Sequence, residues 1–149
     1  GFYLQMQAFA NARLQTAARA LGVMQAALDQ AVAYARQRHV FGTALVDYPL
    51  NKAKLARMAG LIAANRAFAF EVARHLATGG GQLEASMVKQ FSCLAAEWVA
   101  REAQQLHGGY GYIRDYPIER YLRDLRVHQI LEGTNEIMRV IIARRLLAE

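Results

Sequence analysis

From Leu4 to Arg38 the chain contains no proline, and Gly22 is its only glycine. Apolar residues at Leu14, Ala18, Leu21, Leu28 and Val32 are mostly three, four or seven apart, a spacing that gathers them on one helical face. The run predicts a helix of some thirty residues. A helix that long is stable when neighbours bury it along its length, as in a bundle. Phe41-Gly42-Thr43 predicts its end through a glycine C-cap.

The rest of the chain repeats this pattern. Asp47 or Tyr48 is the expected cap of a second helix, with Pro49 in its first turn, where a missing N–H does no harm. That helix carries Leu55, Met58, Ile62, Ala69, Val72 and Leu76 inward and stops at Thr78-Gly79-Gly80-Gly81, a connecting turn. A third spans about Leu83 to Leu106, with Val88, Phe91, Ala95 and Trp98 on its core stripe. A short helix is expected from Ile118 to Leu125, and a last one from Asn135 to Leu147 with Ile137, Val140, Ile141 and Leu147 inward. No convincing strand run, internal repeat or low-complexity tract occurs. The expected fold is all-α, an up-and-down four-helix bundle with a short extra helix.

Composition narrows the chemistry. At 149 residues, 54% of them hydrophobic and 20% charged, the chain can bury one real core. No apolar run approaches the ~20 residues that span a bilayer. Cys93 is the single cysteine, which excludes an internal disulfide and suits a reducing, intracellular compartment. His39, His75, His107 and His128 have no zinc-ligand spacing, so no metal site is expected. Ser86 and Ser92 lie mid-helix, away from any nucleophile elbow. Gly108-Gly109-Tyr110-Gly111 follows a helix instead of a strand and so fails as a dinucleotide fingerprint. The net charge of +6 is spread along the helices. It fits solvated faces, and it also fits phosphates of a cofactor or of coenzyme A; nucleic acid is the lesser alternative.

One carboxylate stands out. In Ile130-Leu131-Glu132-Gly133-Thr134-Asn135-Glu136 an acid follows apolar residues and precedes a Gly-Thr turn and a helix start. Burial there would raise its pKa, which suits a general base near neutrality. Gly133 would let a substrate carbonyl approach the backbone. The same residues also read as an ordinary helix start, with Thr134 as N-cap and the acid favoured by the dipole. The residues alone leave both readings open.

The runs Gln105-Leu106-His107-Gly108-Gly109-Tyr110-Gly111-Tyr112 and Asp115-Tyr116-Pro117 through Glu132-Gly133-Thr134-Asn135-Glu136-Ile137 resemble the C-terminal signature of the acyl-CoA dehydrogenase flavoproteins. Gly1-Phe2, Phe9, Arg13, Gly22-Val23-Met24-Gln25 and Arg38-His39-Val40-Phe41-Gly42 extend the resemblance over essentially all 149 residues. It implies that residues 1–149 form the C-terminal helical bundle of a longer flavoprotein, without its N-terminal helical and central β-domains. The start at Gly1, with no targeting pattern, fits that expectation.

The resemblance further implies oxidation of an acyl-CoA thioester to the trans-2-enoyl-CoA, with hydride passing from the β-carbon to flavin N5. Glu132 matches the α-proton base, and the position that carries the base in other branches is Ala12 here. Phe9 and Arg13 match the substrate side, which the close approach allowed by Gly133 would also serve. FAD is the implied cofactor: Arg38 and Phe41 match an element reaching the FAD of a neighbouring subunit. Gln105, Leu106, His107, Gly108 and Gly109 match the loop near its pyrophosphate, and Thr134 and Glu136 match positions near its adenine. Ala10, Pro49 and Glu136 depart from residues common in the family. Tyr110, Tyr112, Tyr116 and Tyr121 are expected to pack that loop onto the bundle rather than to stack bases. Electron transfer flavoprotein as acceptor, and a homo-oligomer built as a dimer of dimers, are implied as partners. The expected location is cytoplasmic in a bacterium or the mitochondrial matrix in a eukaryote. A basic DNA-associated relative and a flavin oxidase are the alternative readings.

Overall fold

The computed structural model describes residues 2–148, with side chains described from residue 8; Gly1 and the Phe2 side chain of the N-terminal signature lie outside. Five helices follow in order: α1 (Phe2–Gln37), α2 (Pro49–Ala77), α3 (Gln82–His107), α4 (Ile118–His128) and α5 (Asn135–Leu147). The fold is the expected all-α bundle. α1 to α4 enclose the main core, built on Met24, Met58, Ile62, Val99, Leu106, Ile118 and Leu125. A second core joins the other ends of α1, α2 and α3 through Ala10, Ala17, Val72 and Val88. No helix is long and apolar enough to cross a membrane among the described residues.

The seam between α1 and α3 is made of alanine. Ala10, Ala17, Ala20, Ala27, Ala31 and Ala35 are fully buried on α1, and Ala85, Ala96, Ala100 and Ala103 on α3. Small side chains let two backbones approach closely. The expected stripe of α1 is therefore displaced: Ala18 is exposed, while Leu14, Leu21, Leu28 and Val32 flank the seam half-buried.

Four further expectations need correction. Helix α1 ends at Gln37, before Gly42. A two-residue hairpin follows, β1 (His39–Val40) against β2 (Thr43–Ala44), with Val40 opposite Thr43. Phe41 and Gly42 both take positive φ, 52° and 80°, the conformation of a tight hairpin turn. Helix α4 runs three residues past Leu125. Phe91 is exposed on α3. On α5 the buried residues are Asn135 and Met138, while Ile137, Val140 and Leu147 face out and Ile141 is half-buried. That helix packs chiefly on α3, so only one narrow face finds a partner.

Capping followed the sequence more closely. Tyr48 caps α2 with Pro49 at its start. Thr134 caps α5, its hydroxyl accepting from the Ile137 N–H at 3.4 Å. Gly81 begins α3 at φ 79°, where a Cβ would come 2.9 Å from that of His75.

Candidate functional site

The sequence-selected residues fall into two groups at opposite ends of α3. The first lies where α1 ends and α3 ends. Arg38, Val40 and Leu45 face Gln105, Leu106, His107, Gly108, Gly109, Tyr110 and Ile113 across an open groove of about 540 Å³. Arg38 lies 5.9 Å from the centroid of the Tyr110 ring. Gly108 closes α3 at φ 59°. A Cβ on Gly108 or Gly109 would meet nothing within 4 Å, so the backbone there is open to close approach. Leu106 is buried and offers the groove no exposed side chain of any size. Phe41 projects from the hairpin at 97% exposure, and Tyr48 pins that hairpin by donating to the Val40 carbonyl at 2.6 Å.

Beneath the groove is an aromatic box that the sequence did not show as a unit. Tyr34 stacks on His107 at 4.3 Å. Tyr116 meets Tyr34, His107 and Tyr110 edge-on at 5.6–5.7 Å. Thus Tyr110 and Tyr116 do pack the loop onto the bundle, and Tyr121 packs against the main core. Tyr112 does not; it is 82% exposed. His107 Nδ1 lies 2.7 Å from the Ala103 carbonyl, while its buried Nε2 has no partner. Burial holds the imidazole below its ordinary value, and the Ala103 bond opposes this.

The second group surrounds the turn from α4 to α5. Glu132 is exposed and takes φ 57°; Gly133 follows at φ 91°. The burial expected of Glu132 from the apolar residues before it is absent. Arg13 on α1 donates to Ser86 Oγ at 3.1 Å and keeps a buried Nε without a partner. Burial lowers its pKa, and the charge of Glu132 opposes that. Phe9, one turn earlier on the same helix, is 43% exposed. Glu136 is exposed, its carboxyl held below the usual range by its own backbone N–H and then by Thr134. Ala12 is half-buried and carries no group that could move a proton.

The chain as a whole therefore brings Arg38 to residues 105–109, but not Glu132 to either. Lys89, which touches the Glu132 turn, and His107 are separated by about 27 Å along α3 at 1.5 Å per residue. Within one chain the two stretches therefore lie apart. Lys89 itself went unnoticed in the sequence. It is wholly buried, and a lysine inside a helical run gives no sign of that. Among the described residues, no cluster of three or more His, Cys, Asp or Glu side chains could hold a metal ion.

The first group fits an anionic cofactor: an exposed cation and bare glycine backbone border one groove. Comparison with known proteins gives the family. An acyl-CoA dehydrogenase of Bacillus subtilis (strain 168) is 46% identical over 156 residues, covering 99% of this chain and 39% of the relative. A 3-(aryl)acrylate reductase of Clostridium sporogenes (strain ATCC 15579) is 41% identical over 148 residues, again 99% of this chain and 39% of the relative. The butyryl-CoA dehydrogenase structure from Megasphaera elsdenii superposes with a TM-score of 0.95 at 37% identity, over 99% of this chain and 39% of that one. The chain thus spans about two fifths of the length of these relatives. Residues 1–147 match the family described as acyl-CoA dehydrogenase, C-terminal domain, and the chain belongs to the acyl-CoA dehydrogenase family.

Proposed function

We propose that this chain is the C-terminal helical domain of a longer, FAD-dependent flavoprotein that converts an acyl-CoA thioester to its trans-2-enoyl-CoA. The observation that carries this reading is Glu132, an exposed carboxylate held on a left-handed turn between two helices. A base must reach a proton on a bound substrate, and a carboxylate presented this way can do so. Glu132 takes the α-proton. Gly133 leaves room for the thioester beside the backbone. Phe9 and Arg13 border the substrate on the α1 side.

When bound, FAD supplies the acceptor for the hydride that leaves the β-carbon. Arg38 pairs with its pyrophosphate, Gly108 and Gly109 admit it to the backbone, and Phe41 covers it from the hairpin. Thr134 and Glu136 line its adenine side. The separation of the two groups along α3 supports assembly, since one subunit can offer its Arg38 groove to a neighbour's flavin. A homo-oligomer, with a dimer as its smallest working unit, follows from that reading. Electron transfer flavoprotein is the proposed acceptor.

The relative named as a reductase favours a second reading, in which the same groups run the reaction toward the saturated thioester. One experiment addresses both. In the full-length protein, an acyl-CoA should bleach the flavin, and Glu132→Gln should abolish bleaching while FAD stays bound. Reduction of the flavin by Glu132→Gln at the wild-type rate would remove the assignment. A protein that turns over only enoyl thioesters with a reductant would establish the reverse direction.

A further inference from the structure

Lys89 sits on α3 with its side chain wholly removed from solvent. A buried ammonium is costly unless each proton finds an acceptor. All three acceptors come from one short segment: the Gly133 carbonyl at 2.7 Å, Asn135 Oδ1 at 3.0 Å and the Gln129 carbonyl at 3.4 Å. Gln129 is the last residue of α4's C-terminal turn and Asn135 the first of α5. The Gln129 carbonyl also accepts from the Asn135 N–H at 2.9 Å, closing the segment into a loop around the ammonium.

Inside that loop stands Glu132 at φ 57°. Left-handed backbone is unfavourable for a residue with a Cβ and persists only where the surroundings impose it. Lys89 supplies the imposing contacts from behind, and a carbonyl at a helix C-terminus is a favourable place for its charge. A neutral side chain of the same length would fill the space but leave the Gly133 carbonyl and the Asn135 amide oxygen without that donor.

We propose that Lys89 is the positioning residue of the Glu132 turn, holding residues 129–135 in the form whose left-handed Glu132 and Gly133 present the Glu132 carboxylate outward. The proposal rests on Glu132 being the base. The test uses the full-length holoprotein with Lys89→Met. The expected result is a limiting rate of flavin reduction by acyl-CoA lower by about tenfold to a hundredfold, with half-saturating acyl-CoA within about twofold of wild type and FAD retained. Amide exchange should accelerate across residues 130–135 and not in α1 or α2. A wild-type limiting rate overturns the proposal, whatever the exchange shows. Glu132→Gln, measured alongside, separates the two assignments. Reduction kept in Glu132→Gln removes the base, whereas reduction lost there but kept in Lys89→Met removes the positioning role alone. Should Lys89→Met not accumulate folded, Asn135→Ala takes its place: a slowed limiting rate with FAD retained supports the proposal, and an unchanged one overturns it.

Discussion

Tyr34 and His107 lie face to face, ring centroids 4.3 Å apart and planes within 23° of parallel. The pair joins α1 to the last turn of α3 directly beneath the Arg38 groove. The Ala103 carbonyl can only accept, so His107 carries its proton on Nδ1 and leaves Nε2 bare in the neutral ring.

This arrangement makes stability depend on pH in a definite direction. Burial depresses the His107 pKa from an ordinary 6.5. As pH falls below that value the unfolded chain takes up the proton first, so stability is full above it and is lost toward the lower folded value. One proton limits the slope to about 1.4 kcal/mol per pH unit. Denaturant unfolding between about pH 8 and about pH 5 should show a flatter curve for His107→Phe than for the wild type. Parallel curves would mean that His107 takes up its proton equally in the folded and unfolded states.

Two glycines of the same loop should separate folding from cofactor binding. A Cβ on Gly111 would come 2.6 Å from the Gln104 carbonyl oxygen and 2.9 Å from His107 Cβ. Neither atom can swing aside, and the bond from Gln104 Nε2 to the Gly111 carbonyl would be disturbed as well. Gly111→Ala should cost about 1–3 kcal/mol, read as a lower denaturation midpoint. Gly109 has open space around its Cα. Gly109→Ala should change stability by no more than about 0.5 kcal/mol, yet weaken FAD retention in the full-length protein if the pyrophosphate lies against that backbone.

Phe41 invites a similar dissociation. It is nearly fully exposed and holds φ 52° in a two-residue turn before Gly42. Asn-Gly is the favoured pair for such a turn. Phe41→Asn should therefore raise thermal stability by up to about 1 kcal/mol. Flavin titration of the full-length variant should show weaker binding. Unchanged binding would leave the exposed ring without its proposed role.

What the sequence made legible was punctuation. Pro49, the three glycines ending at Gly81 and the Thr134 cap each impose one local geometry, so the helices they bound were found within a residue or two. Arg38 and the glycines after His107 were legible as partners only through resemblance, since nothing in their spacing says that the end of α1 meets the end of α3. The hairpin was missed because two-residue strands carry no periodicity, and Gly42 serves a turn as well as a cap. The outward Ile137, Val140 and Leu147 show that helical spacing identifies an apolar face without saying whether this chain covers it. Lys89 was missed because burial of a charge is decided by acceptors 40 or more residues away.

The alanine seam was missed for a different reason, and it leads to the sharpest stability test. Alanine favours helix on every face, so its positions carry no visible stripe beside the larger Leu14, Leu21 and Leu28. Yet Ala27 and Ala31 on α1, with Ala96 and Ala100 on α3, have no exposed surface, and the two helices pack through them. A larger side chain there must push the backbones apart along the main core. Ala27→Leu and Ala100→Leu should each cost about 1–3 kcal/mol, although leucine is nearly as good a helix former as alanine. Ala18→Leu, one position off the seam on the exposed face, should stay within about 0.5 kcal/mol of wild type. Urea unfolding of the three variants checks the assignment, and equal midpoints for Ala18→Leu and Ala27→Leu would place the contact between α1 and α3 elsewhere.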